Sequence, residues 1–154
     1  MNILKIFLVS IFLMVLSTSC VSTKNTIKNI DNTALKPTIL NNAFVITENA
    51  SDGKYGYDKN WPINLGFDNE FNSFHNINYF FNALEGEMGE KISAKKMQDC
   101  CPFPTKRSTI GAGMLAVYEV SFEGKDKKST LYFNVYDKGK IMCPKGFSIK
   151  NLKK

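Results

Sequence analysis

Two stretches of the chain carry apolar side chains on alternate positions. In residues 114–122, Ala116, Tyr118, Val120 and Phe122 fall on one face of a strand. In residues 130–137, Leu131, Phe133 and Val135 share one face while Tyr132, Asn134 and Tyr136 point the other way. Both runs are rich in β-branched and aromatic residues, and the charged residues 123–128 separate them, so the pattern predicts an antiparallel hairpin. Upstream the period lengthens. Phe71, Phe74, Ile77, Phe81 and Leu84 recur at helical spacings, Asp68 or Asn69 can cap the start, and Gly86 follows the last apolar turn, which predicts one amphipathic helix. Residues 43–47, 91–99 and 141–149 add shorter or weaker extended patterns. The expected fold is α+β: an antiparallel sheet of four or five strands with one main amphipathic helix packed on it.

The first twenty residues have a different character. Lys5 and the amino terminus precede an apolar run over residues 6–16, too short for the roughly 20 residues of a spanning helix, and this is the form of an export signal. Ser17, Thr18 and Ser19 place small residues before Cys20, with Leu16 one position further from the cysteine than a lipobox has its large aliphatic residue. Two outcomes follow from that arrangement: lipidation of Cys20, which is the reading adopted, or a plain secretory cleavage after the small residues. Acyl chains on Cys20, each buried methylene contributing about 0.8 kcal/mol, would anchor the chain stably in a membrane. Residues 21–42 are mostly Ser, Thr, Lys and Asn, and Ile27, Ile30 and Leu35 sustain no period, so a flexible tether is expected there. Deleting residues 22–33 is then expected to leave the unfolding midpoint nearly unchanged. The organisation is a signal peptide at 1–19, an anchor and tether at 20–42, and a single globular domain at 43–150.

Charge and chemistry change this picture little. The net charge of +6 is spread along the chain, whereas a nucleic-acid footprint needs clustered Lys and Arg beside aromatics or a reading helix, so nucleic acid is not an expected partner. His75, the one histidine, falls toward the wet side of the predicted helix with no second ligand at helical spacing. Gly111 and Gly113 lead into a strand pattern and make no phosphate cradle. No catalytic constellation, metal site or cofactor is expected. If lipidation uses Cys20, three of the four cysteines remain in an exported chain, where disulfides persist. Neighbours on a strand point to opposite faces, so Cys100 and Cys101 are not expected to bond each other; the expected bridge joins Cys143 to Cys100 or Cys101. Tyr55, Tyr57 and Trp61, interleaved with turn formers, allow two readings: an aromatic ligand-binding surface suited to a carbohydrate, or ordinary core packing.

Several short motifs resemble a known family. Tyr55-Gly56-Tyr57, Pro62-Ile63, Phe81-Asn82-Ala83-Leu84-Glu85-Gly86, Cys100-Cys101-Pro102-Phe103, Tyr118-Glu119-Val120, the run from Leu131 to Asp137 and Pro144-Lys145-Gly146-Phe147 together look like small Bacteroidota lipoproteins of unknown function. Members of that family are sometimes catalogued as 2-dehydro-3-deoxyphosphooctonate aldolase. Such aldolases resemble (β/α)₈ barrels of about 250 residues, and this chain has neither the length nor the alternating strand and helix pattern. The family pattern has an acidic residue at the position of Ala116 and no cysteine at that of Cys143. Surface-exported lipoproteins of the Bacteroidota often carry an acidic run after the lipidated cysteine. None follows Cys20, so the resemblance implies an outer-membrane anchor facing the periplasm. The function expected is that of a non-catalytic cell-envelope lipoprotein that binds or scaffolds an envelope protein or glycan. Two alternatives stand beside it: a small-ligand binder using Tyr55, Tyr57 and Trp61, and a Cys-dependent enzyme.

Overall fold

The computed structural model describes residues 24–152. The expected signal peptide and Cys20 lie outside the described residues, as do the side chains of Glu70 and Phe71. The hairpin forms where the alternation placed it. We number the strands in chain order: β1 (Ile39–Leu40), β2 (Ala43–Phe44), β3 (Ile63–Asn64), β4 (Leu84–Gly86), β5 (Ile92–Pro104), β6 (Ala112–Phe122), β7 (Lys128–Asn134) and β8 (Phe147–Ile149), with one helix, α1 (Glu70–Asn82), between β3 and β4. β6 and β7 pair antiparallel with Ala116 opposite Phe133 and Tyr118 opposite Leu131, which puts the two predicted apolar faces on the same side.

The fold is α+β, as the sequence pattern implies. The main sheet has four strands in the order β3-β7-β6-β5, and the pairs β1-β2 and β4-β8 form two small sheets beside it. One pairing departs from the all-antiparallel expectation, because β3 runs parallel to β7, with Ile63 beside Phe133. A parallel neighbour needs a crossover, and the long excursion through α1, β4, β5 and β6 supplies it.

Helix α1 begins at Asn69, whose side chain accepts from the Asn72 N–H at 3.0 Å. Its Phe80 and Phe81 meet Phe133 edge-on at ring-centroid distances of 5.6 and 5.2 Å, and Phe81 also meets Tyr118. Ile77, Phe80, Phe133, Leu131 and Val120 are fully buried and form the centre of the core. Offset edge-to-face geometry adds about 0.5–1.5 kcal/mol per aromatic pair beyond the burial itself.

The expected tether is corrected from Lys24 onward. Residues 25–31 are docked on the domain by hydrogen bonds to one sheet edge and to neighbouring loops: Lys28 N–H to Asn60 C=O at 2.8 Å, Asp31 N–H to Lys138 C=O at 2.8 Å, Asn25 Nδ2 to Pro104 C=O at 3.2 Å and Asn29 Nδ2 to Pro62 C=O at 2.7 Å. Ile27 is buried against Phe103 and Leu115, on the sheet face away from the helix. Further on, Lys36 pairs with Asp68 at 2.6 Å and β1 closes on β2. Isolated apolar residues and asparagine amides hold this segment, so no hydrophobic period marks it. The domain boundary expected at residue 43 therefore lies too late.

β5 is the open edge of the main sheet. It is thirteen residues long and mostly exposed, and its pairing with β6 slips twice, between Lys96 and Gln98 and between Cys100 and Phe103. Its weak patterning in the sequence reflects this position, since an edge strand with little on either side has no face to keep apolar.

Candidate functional site

The second slip in β5 holds the most unusual chemistry in the structure. Cys100 opposes Leu115 in regular register, and Cys101 then takes φ +58°, a left-handed backbone that non-glycine residues rarely adopt. That turn cancels the alternation of the pleat and brings two neighbouring side chains to one side. The result is a disulfide between Cys100 and Cys101 across a Cα–Cα distance of 3.7 Å, set by chain adjacency and shorter than the usual 4.4–6.8 Å. The expected bridge to Cys143 is therefore corrected. Cys143 is free and fully buried, its N–H bonded to Glu48 C=O at 2.9 Å, and burial pushes its thiol up to about 11. The alternation rule fails here because it assumes a regular pleat, and a bulge suspends it. Cys101 also precedes Pro102, which disfavours helical backbone, so sequence reasoning points to an extended residue at this position.

Both cysteines are partly buried and pack at the margin of the small cluster of Ile27, Phe103 and Leu115. A cavity of about 220 Å³ opens beside Cys101, lined also by Thr26, Ile27, Lys59 and Asn60. On the helix side of the same strands lies an open apolar groove of about 410 Å³, lined by Phe74, Pro102, Ile110, Met114 and Tyr136 with Asp99 at its edge. Its origin is a mismatch of lengths. From Phe81 back to Phe74 the helix advances roughly 10 Å, and from Tyr118 back to Met114 the strand advances roughly 13 Å, after which the helix has one turn left and the sheet continues. Ile110 is 83% exposed and Met114 43%, and the Lys96 ammonium lies 5.3 Å from the centre of the Phe74 ring.

A buried polar network fixes the end of the sheet next to this groove. Asn134 donates to Asn64 Oδ1 at 2.9 Å and to Asp137 Oδ2 at 3.3 Å, its own oxygen accepts from the N–H groups of Tyr136 and Asp137, and Thr105 donates to Asp137 Oδ1 at 3.1 Å. Asn64 completes the chain by donating to Asn29 C=O at 2.9 Å. Arg107 reaches back from its loop to Tyr136 C=O at 2.6 Å and Gly66 C=O at 2.8 Å, so two of its guanidinium N–H groups are used on the backbone. With its members paired to one another, this network holds a loop in place.

Of the two readings of Tyr55, Tyr57 and Trp61, packing describes Tyr55, and the three do not form an open aromatic surface. Tyr55 is in the core, its hydroxyl donating to Lys140 C=O at 3.2 Å and accepting from Met142 N–H at 3.1 Å, and burial pushes the phenol far up. Tyr57 is half-buried with its hydroxyl donating to Lys145 C=O, and burial, ahead of nearby charge, raises it to about 12. Trp61 is partly buried, and its carbonyl accepts from Gly56 N–H at 2.8 Å. His75 is exposed on the helix, on the wet side as its position in the period implies. Among the described residues no group of three or more His, Cys, Asp and Glu is placed to hold a metal ion, and no helix is long and apolar enough to cross a membrane. The Cys100-Cys101 pair and the groove were both missed in the sequence. The only available signal was the adjacency of two cysteines before a proline, followed by the isolated apolar residues Ile110 and Met114 on a glycine-rich stretch.

No family model, curated protein or solved structure matches this chain.

Proposed function

We propose that this chain is a non-catalytic binding module of the bacterial cell envelope, exported, lipid-anchored through Cys20, and engaging an apolar segment of another envelope protein through the groove at Phe74, Pro102, Ile110 and Met114. The observation that carries the reading is the exposure of Ile110 and Met114 together at the mouth of that groove, where the helix stops covering the sheet. Contiguous exposed apolar side chains with few polar groups among them favour a protein partner over a glycan, which requires several convergent hydrogen-bonding groups. The export signal in residues 6–16 and the bridged cysteines both suit an oxidising compartment. The resemblance to small Bacteroidota lipoproteins supports the anchor and the periplasmic side.

A thiol enzyme is the weaker reading. Cys143 is buried and protonated at neutral pH, and His75 stands apart on the exposed face of the helix.

The test is comparative capture from intact envelopes with the tether in place, using the native chain and an Ile110→Asp/Met114→Asp variant. The reading expects a discrete envelope protein crosslinked to the native chain and lost from the variant, while the two melt alike. Equal capture by both, or a glycan recovered in place of a protein, would overturn it. Loss of membrane partition in Cys20→Ala tests the anchor separately.

A further inference from the structure

We propose that the Cys100–Cys101 bridge is a thiol–disulfide exchange site, reduced and reformed by a dithiol while the rest of the domain stays folded. Four features of the structure converge on it. The bridge joins adjacent residues, so opening it releases only a local ring and leaves all long-range connections of the fold intact. Its backbone already departs from the strand: Cys101 sits at φ +58° inside the slip between Cys100 and Phe103, a conformation that persists only where its surroundings enforce it. Both cysteines are only partly buried and lie on the open edge strand of the sheet, where an incoming thiolate can approach. Finally, Lys59 lines the same cavity as Cys101, so a cation borders one approach to the bridge.

The exchange balances in two steps. A thiolate of the dithiol attacks one sulfur of the bridge, forms a mixed disulfide and expels the other cysteine as a thiolate, which takes up a proton. The second thiol of the reagent then attacks the mixed disulfide, releases the remaining protein thiol and leaves as a cyclic or intramolecular disulfide. Two electrons and two protons pass to the protein, and the dithiol is oxidised by the same amount. Once the ring is open, nothing holds Cys101 in the left-handed region, and the preference of a residue before proline draws it back to extended backbone. The slip then relaxes around Pro102 and Phe103. Cys143 takes no part, because it is buried in the main core, apart from the small cluster on which the bridge packs.

The experiment uses the full chain in detergent, equilibrated with mixtures of reduced and oxidised dithiothreitol, then alkylated and digested for mass spectrometry, with amide exchange read in parallel. The proposal expects Cys100 and Cys101 to be alkylated together while Cys143 stays unlabelled. It also expects faster amide exchange confined to Cys100, Cys101, Phe103 and residues 111–113, with the amides of Ala116 to Phe122 unchanged. Glutathione, a monothiol, should be slower than dithiothreitol at equal thiol concentration, because the second attack is no longer intramolecular. Lys59→Met should slow reduction, because a thiolate that leaves without a neighbouring cation leaves less readily. A Cys100→Ser/Cys101→Ser variant should show the exchange pattern of the reduced chain without any reductant. A bridge that yields only when Cys143 is labelled as well, which marks global unfolding, overturns the proposal. So does clean reduction with no change in the amides of Cys100, Cys101 and Phe103, and a rate that Lys59→Met leaves untouched overturns the approach through that cavity.

Discussion

Replacing Ile27 with Ala tests whether the segment before residue 43 belongs to the cooperative domain. Ile27 is 8% exposed and packs on Phe103 and Leu115, across the sheet from the helix. Truncating a buried Ile to Ala costs about 2–5 kcal/mol, and a site at the rim of a small cluster, whose neighbours can settle into the gap, belongs near about 2–3 kcal/mol. For a domain of this size, each kcal/mol moves the midpoint by roughly 3–4 °C, which gives a fall of about 6–12 °C. The full cost is realised only if the segment stays docked until the domain unfolds. Its hydrogen bonds to Asn60, Pro62, Lys138 and Pro104 carbonyls argue that it does. Thermal melts by circular dichroism of the chain without residues 1–20 provide the assay, with Leu35→Ala as the control: Leu35 is 89% exposed and its truncation should fall within about 0.5 kcal/mol of neutral. An Ile27→Ala midpoint indistinguishable from the control would refute the reasoning, because it would mean that the segment undocks before the domain melts and contributes nothing to the transition.

The remaining predictions concern the core and the pH dependence. Phe133→Ala removes a fully buried ring that meets Phe80, Phe81 and Tyr118, and should cost about 3–5 kcal/mol in denaturant titrations; Phe81→Ala, from a half-buried ring, should cost less. Burial raises Cys143 from 9.0 to about 11, so its contribution is complete below pH 9 and is lost as the pH rises through 11. Melts of Cys143→Ala between those limits should therefore decline less steeply than those of the native chain. The hydrogen bond from Lys36 holds the Asp68 carboxyl below its ordinary 3.8, so that contribution is present above 3.8 and disappears as the pH falls through the depressed value. Lys36→Met should flatten the acid limb of a stability profile, and an unchanged limb would show that the pair contributes nothing. Gly66→Ala should prevent folding, as read by loss of a cooperative melt, because a Cβ there would collide with the Tyr136 carbonyl.

What the sequence disclosed follows from which forces leave a periodic trace. The helix and the β6–β7 hairpin bury one face each, so Ile77, Phe81, Leu131 and Phe133 recur at 3.6- and 2-residue spacings that can be read directly. Residues 25–31 are held by asparagine amides and backbone carbonyls, and such contacts impose no spacing on the chain. Their composition is that of a linker although their environment is that of a docked strap. The Cys100-Cys101 bridge was hidden for another reason: it exists because one residue leaves the β region, and single-residue backbone excursions outside glycine have no compositional mark. Tyr55 and Tyr57 show the converse. Aromatics beside turn formers suggested an open platform, yet their hydroxyls find carbonyl partners at Lys140 and Lys145 and close the surface.

The irregular edge of β5 also bears on how many copies of this molecule can share a small space. A long exposed strand at the margin of a sheet is a template on which a second chain can stack, and the stack can grow into a fibre. Here the template is defaced along its length. Lys95 adds an exposed charge, Met97 and Cys101 are pushed out of register, and Pro102 and Pro104 lack the N–H groups that a continuing ladder would need. A neighbouring strand laid along β5 finds a run of only a few residues before its hydrogen bonds fall out of step. The molecule can therefore be packed densely side by side, as on a crowded two-dimensional surface, without its open edge seeding polymerisation.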